Sequence, residues 1–165
     1  GERAFSGFSH LKYANLPLIK EIPWFAFSGC RVLREINCPL VISIDTGAFK
    51  NCHWLKKINI PNAEKFISTY RLLNEKNSGT FERCINLTEI NSPNVVTVEN
   101  CRLFYECYNL RKVELPNAET IGTEAFLYCT SLSEVNISKA QSIGDYAFAE
   151  TYSLMEIELP NAMAL

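Results

Sequence analysis

The stretch IGTEAFLYCTSLSEVNI at residues 121–137 returns at residues 143–159 as IGDYAFAETYSLMEIEL, with its Ala-Phe pair, its leucine and its aliphatic positions in the same register. Recurrence at a period far longer than a helical turn or a strand pleat marks a repeat architecture, so the period is read before any element is assigned. Working outward, the anchor phenylalanines are Phe5, Phe27, Phe49, Phe81, Phe104, Phe126 and Phe148, spaced 22, 22, 32, 23, 22 and 22 residues apart. The residue six after each anchor is always leucine: Leu11, Leu33, Leu55, Leu87, Leu110, Leu132 and Leu154. Three residues later come Ala14, Ile36, Ile58, Ile90, Val113, Val135 and Ile157. These positions predict a single domain over residues 1–165 with seven rungs and an insertion within 67–80. The chain opens inside a rung at GERAF and closes inside another at LPNAMAL without a polar capping module, the pattern of a segment excised from a longer protein.

The LxxIxL core of the consensus IxxxAFxxCxxLxxIxLPxA is the short-strand signature of a leucine-rich repeat. The expected fold is a repeat solenoid of the α/β type, with a parallel sheet on the concave face and short helical or 3₁₀ turns on the convex return side. Because side chains alternate along a strand, Val135 and Ile137 point inward while Glu134 and Asn136 point out. Prolines 17, 39, 61, 93, 116 and 160 have no amide to donate and end each strand, with Ser138 the departure. On the return side Thr46, Thr123 and Asp145 stand where a hydroxyl or carboxylate caps a short turn. That turn tips its phenylalanine into the core and builds a stacked phenylalanine spine.

Composition excludes several function classes. Sixteen Lys and Arg against eighteen Asp and Glu, a net charge of -2, give no basic excess for nucleic acid. No apolar run is long enough to span a membrane, and the first eight residues lack a signal-peptide pattern. Of seven cysteines, Cys30, Cys52, Cys84, Cys107 and Cys129 fall three residues after an anchor, so they read as buried core thiols and not as ligands or disulfides. Cys38 takes an inward strand position, and Cys101 lies in the rung with one extra residue. No CxxC pair exists for zinc or redox chemistry. His10 and His53 are the only histidines, there is no phosphate-cradling glycine loop, and the carboxylates do not converge as a pair. The expectation is no enzyme activity, no cofactor and no metal. Asn86 and Asn136 begin glycosylation sequons, which matter only in a eukaryotic secretory source.

The motif AFxxCxxLxxIxLPxAxxIG resembles the BspA-like leucine-rich repeat of surface proteins from gut and oral bacteria and some parasitic protists. The resemblance covers the whole chain; Thr151 and Phe8 replace the cysteine, and the rung after Phe66 is interrupted. It implies a secreted or surface-anchored protein, extracellular in location, with adhesion or host recognition as its role. It supplies no catalytic residues.

Such solenoids bind partners on the concave face. Its outward columns read Lys12, Arg34, Lys56, Thr88, Arg111, Ser133, Met155; then Tyr13, Glu35, Lys57, Glu89, Lys112, Glu134, Glu156; then Asn15, Asn37, Asn59, Asn91, Glu114, Asn136, Glu158. The middle column nearly alternates in sign, which suits adjacent strands. The asparagines read either as a self-satisfying structural ladder or as ligand contacts. Summed over the three columns, the first three rungs are basic and the last four acidic, a polarity that orients a protein partner or serves only solubility. A second candidate is the inserted segment, where Tyr70, Arg71 and Leu72 join an aromatic, a cation and an aliphatic; low loop-closure cost explains it equally well. The sequence thus predicts a recognition module for a protein, with a glycan as the other ligand class, no nucleic acid and no membrane insertion. The competing readings are a passive spacer in a surface protein and an intracellular interaction scaffold.

Overall fold

The structure, a computed structural model, describes residues 1–67, 78–98 and 101–164. The strands are β1 (Tyr13–Asn15), β2 (Glu21–Ile22), β3 (Glu35–Asn37), β4 (Ser43–Ile44), β5 (Lys57–Asn59) and β6 (Lys65–Phe66). They continue as β7 (Glu89–Asn91), β8 (Thr97–Val98), β9 (Lys112–Glu114), β10 (Thr120–Ile121), β11 (Glu134–Asn136) and β12 (Ser142–Ile143). Each pairs in parallel with its equivalent one repeat away, so the chain winds as a parallel solenoid. The concave strands form the ladders β1-β3-β5 and β7-β9-β11. Their register, Ala14 opposite Ile36 opposite Ile58, and Ile90 opposite Val113 opposite Val135, is that of the LxxIxL column.

Two features depart from the sequence reading. Each of the first six rungs carries a second, two-residue strand after the strand-ending turn, in the ladders β2-β4-β6-β8 and β10-β12. It carries the inward column Ile22, Ile44, Phe66, Val98, Ile121 and Ile143. A two-residue strand is too short to display alternation, so its pattern was not readable.

The expected helical or 3₁₀ return is also absent, because no helix forms among the described residues. The reason lies in the backbone around each anchor. Residues two before it, such as Phe25 (φ 52°), Arg102 (59°), Glu124 (55°) and Tyr146 (55°), are left-handed, and so are those two after it, Gly29 (73°), Asn51 (61°), Glu106 (57°) and Tyr128 (64°). A left-handed residue every fourth position breaks any right-handed helix. Amides therefore alternate between two kinds of partner. Ala26 N and Ser28 N close local turns on Pro23 O and Phe25 O, both at 3.1 Å, while Phe27 N and Gly29 N reach Ala48 O and Lys50 O in the next rung, both at 2.8 Å. Thr46 and Thr123 have no helix to cap; instead Asp45 Oδ1 accepts from the Thr46 amide at 2.6 Å.

The phenylalanine spine forms as the period requires. Successive rings from Phe5 to Phe148 stack with centroids 5.0–5.5 Å apart and planes within 14° of parallel. Beside it the thiols of Cys30, Cys52, Cys84, Cys107 and Cys129 each donate to the carbonyl of the preceding rung's anchor at 2.9–3.2 Å. Thr151, in the same position, turns back to its own Phe148 carbonyl at 2.7 Å.

The insertion leaves this stack intact. β6 pairs with β8, and Phe81 lies on Phe49 with centroids 5.5 Å apart. At its exit Gly79 packs so tightly on the next rung that a Cβ there would meet Arg102 O at 1.7 Å. Among the described residues no ladder joins β5 to β7 on the concave side, and no three-residue strand follows Leu154 in the seventh rung.

Candidate partner-binding face

The parallel strands hold the predicted columns on one face, and the inward residues beneath them belong to the core. Lys12, Tyr13, Asn15, Arg34, Glu35, Asn37, Lys56, Lys57, Asn59, Glu89, Asn91, Arg111, Glu134, Glu156 and Glu158 are exposed, and Lys112, Glu114 and Asn136 are half-buried. Glu156 and Glu158 lie on the strandless seventh rung. Tyr70 and Arg71 fall outside the described residues.

The face divides into two chemically distinct halves. Over the first three rungs the asparagines form an amide ladder: Asn59 Nδ2 donates to Asn37 Oδ1 at 2.7 Å, and Asn37 Nδ2 to Asn15 Oδ1 at 2.8 Å. Among the described residues no such bond continues to Asn91, because the strand ladder itself lapses between β5 and β7. Above this ladder lies a groove of about 720 Å³, with Tyr13, Glu35, Lys57 and Glu89 on its walls and Ile36 and Ile58 in its floor. Each ladder amide keeps a second N–H and a second lone pair for a ligand, since one bond uses only part of its capacity.

In the other half the side chains bind one another. Lys112 Nζ lies 3.3 Å from Glu114 Oε1 and 3.2 Å from Glu134 Oε2, and Asn136 Nδ2 donates to Glu114 Oε2 at 2.8 Å. The Lys112 ammonium is held above its ordinary pKa, first by the hydrogen bond to Glu134 and then by that to Glu114. Of the alternating charges expected along the middle column, this lysine closes the ion pairs. Lys57 is register-paired with Glu35 yet forms no salt bridge among the described residues.

Three features of this surface escaped the sequence reading. Trp54, about half exposed, stands at the edge of the face with the Arg34 guanidinium 5.6 Å from its ring centroid. Its one signal was a lone tryptophan in a column otherwise filled by His10, Val32, Asn86, Asn109, Ser131 and Ser153. A second asparagine column follows the prolines. Asn62, Asn94 and Asn117 donate to the carbonyls of Pro39, Pro61 and Pro93 at 2.8, 3.1 and 2.7 Å, stapling successive turns. The recurring Pro-Asn pair was its trace in the sequence. Inter-rung ion pairs also line the return side, where Lys50 meets Glu82 at 3.1 Å and Arg83 meets Glu106 at 3.0 Å.

All seven cysteines are free, and six of them are buried. Burial pushes the Cys38 thiol up to about 12 and holds Cys52, Cys84, Cys107 and Cys129 far above the ordinary range. His53 is kept below its usual value, first by burial and then by Arg31 and Arg83. Among the described residues no group of three His, Cys, Asp or Glu could hold a metal, and no helix is long and apolar enough to cross a membrane.

The solenoid fold recurs in solved structures. The chain superposes on a leucine rich repeat protein of T. pallidum with a TM-score of 0.78 at 24% identity, covering 94% of this chain and 70% of that one. It also superposes on a leucine-rich repeat protein from Bacteroides ovatus with a TM-score of 0.63 at 24% identity, covering 97% of this chain and 46% of that one. No curated protein matches the sequence. The repeat itself matches the BspA type leucine rich repeat region in six copies over residues 1–78 and 73–164, and the chain therefore belongs to that family.

Proposed function

We propose that the chain is a non-enzymatic recognition module of a secreted or surface protein, a single domain cut from a longer chain, that binds a protein partner across its concave face. Repeats of this kind commonly mediate protein interactions. The observation that carries the reading is the groove over rungs one to four, whose amide ladder keeps open bonding capacity and whose Lys57 and Glu35 form no salt bridge with each other. The free thiols fit an oxidising exterior because burial keeps them neutral and out of reach. A glycan is the other ligand class that amide-rich walls suit.

Surface plasmon resonance of the chain against matrix proteins, host-cell glycans and the parent's other domains tests this reading. The expected outcome is a ligand whose dissociation quickens when Asn37 or Asn59 becomes Ala. If a confirmed ligand is indifferent to those changes but is lost when residues 70–77 are deleted, the inserted segment is the site. The passive-spacer reading draws on the acidic half, where Lys112, Glu114, Glu134 and Asn136 already satisfy one another. It predicts that no probe in the screen binds.

A further inference from the structure

Between each anchor turn and its concave strand the chain runs along one edge of the solenoid, over residues 9–12, 31–34, 53–56, 85–88, 108–111, 130–133 and 152–155. This edge carries Lys12, Arg31, Arg34, Lys56 and Arg111 and not one Asp or Glu, in a chain whose acids outnumber its bases. Rungs two and three supply Arg31, Arg34 and Lys56, all exposed although a neighbouring rung covers each of these rungs on both sides. Backbone bonds hold these residues side by side: Trp54 N donates to Arg31 O at 3.1 Å and Lys56 N to Arg34 O at 2.9 Å. The positive field reaches rung four, since burial and then the charges of Arg31 and Arg83 hold His53 below its usual pKa.

The arginines of the return side show what this edge leaves open. Arg102 lies 2.6 Å from Glu124 Oε2 and 4.9 Å from the Tyr105 ring centroid, so it has both an anion and a ring, and Arg83 meets Glu106 at 3.0 Å. Arg34 has the ring alone, 5.6 Å from the Trp54 centroid, and among the described residues Arg31, Arg34 and Lys56 form no salt bridge. The surroundings choose the polyanion. An acidic protein segment needs apolar anchors to bind tightly, and Trp54 is the one large hydrophobic side chain exposed on this edge in rungs two to four. Laid along the edge as an extended strand, such a segment would present a side chain every ~6.7 Å, out of step with rungs about 4.8 Å apart. Single-stranded nucleic acid stacks on a series of aromatic platforms, whereas this edge has one, beside Arg34. A sulfated sugar chain requires neither anchors nor platforms: its anions recur along its length and take charge-assisted hydrogen bonds, which arginine makes bidentate.

We propose that the edge of rungs two and three, with Arg31, Arg34 and Lys56 as its cations and Trp54 as the ring that orients Arg34, is a binding site for a sulfated polysaccharide. The site shares Arg34 and Lys56 with the rim of the concave face but uses neither the groove nor its amide ladder. It goes beyond the protein-binding reading and stands or falls without it.

The test is fluorescence anisotropy of the 165-residue chain with a labelled heparin oligosaccharide, its desulfated form, a polyglutamate peptide and an oligothymidine, at two salt concentrations. The heparin oligosaccharide should bind, more weakly as salt rises, and the other three probes should bind at least about ten-fold more weakly. Arg31→Gln/Arg34→Gln/Lys56→Gln should weaken heparin binding about ten-fold or more, and Arg34→Lys, which keeps the charge but loses the planar fork, about three-fold. Lys20→Gln/Lys65→Gln/Lys139→Gln removes the same charge from exposed lysines elsewhere and should leave binding unchanged, as should Asn37→Ala/Asn59→Ala in the groove. Circular dichroism of each variant shows that the solenoid is intact, as expected for exposed side chains. The proposal is overturned if heparin does not bind, if the edge triple binds it normally, or if the distant lysine triple or the amide pair weakens it as much. Polyglutamate or oligothymidine binding as tightly as heparin would equally overturn it, by making the occupant an acidic protein segment or a nucleic acid.

Discussion

Ser92 is the residue at which this sequence departs most from its own pattern. It occupies the core column otherwise filled by Leu16, Cys38, Ile60, Leu115, Ile137 and Leu159, is wholly buried, and its hydroxyl has no hydrogen-bond partner among the described residues. A buried unsatisfied hydroxyl costs about 1–3 kcal/mol. Ser92→Cys, which copies Cys38, should therefore raise stability by about 1 kcal/mol in urea unfolding, and a lower midpoint would show that the hydroxyl has found a partner. The buried thiols make a second prediction at this scale. Their folded pKa values lie above the unfolded value, so deprotonation favours the unfolded chain: the stability tied to them is complete below about pH 8.5 and is lost as the pH rises toward the folded values. Each of Cys52, Cys84, Cys107 and Cys129 should add about 1.4 kcal/mol of lost stability per pH unit in that window. Urea midpoints that stay level from pH 8 to 11 would contradict this. The thiol column was legible in the sequence because it shares the anchor's period. Its bond to the preceding anchor's carbonyl was not, since spacing along one chain does not say which backbone atom of another rung lies within reach.

At the scale of the element, the rung is held by stacked rings and by backbone bonds to its neighbours. Phe104 and Phe126 are fully buried between parallel rings, so Phe104→Ala or Phe126→Ala should lose about 3–5 kcal/mol. Because rungs contact only their neighbours, the loss should divide the unfolding transition in two; a single sharp transition with an unchanged midpoint would show that the spine is dispensable. Gly79→Ala tests the junction after the insertion, where the added carbon would collide with Arg102 O and force the two rungs apart. A lowered melting temperature is expected, and wild-type stability would mean that this packing yields. The concave strands could be read in advance because LxxIxL displays a period of two. The return side could not: Ala-Phe-x-x-Cys has the spacing of a helical turn, and the left-handed residues that break it are mostly Arg, Glu and Tyr. Gly7, Gly29 and Gly47 alone advertised that conformation.

Over the whole molecule the rungs convert a sequence gradient into a spatial one. Parallel stacking sets successive rungs about 4.8 Å apart, so seven rungs extend over about 29 Å, enough for an interface of roughly 800 Å² per partner. Lys12, Arg34, Lys56 and Lys57 crowd one end of the concave face, and Glu134, Glu156 and Glu158 the other, all exposed. Exposed charges at this spacing act on encounter more than on the bound state, because water and salt screen them once contact is made. A partner of opposite polarity would therefore be turned into register before it docks. Lys56→Glu/Lys57→Glu should slow its association several-fold and flatten the dependence of that rate on salt, with dissociation little changed. The amides act on the other step. Asn37 sits mid-ladder and Asn59 at its end, bonded at 2.7–2.8 Å, so truncating either to Ala removes a ligand contact and an amide bond of the ladder, and dissociation should quicken. Stopped-flow association and chip dissociation on the same ligand separate the two effects. Charge reversal that altered only dissociation would place the lysines in direct contact with the ligand and remove the steering argument.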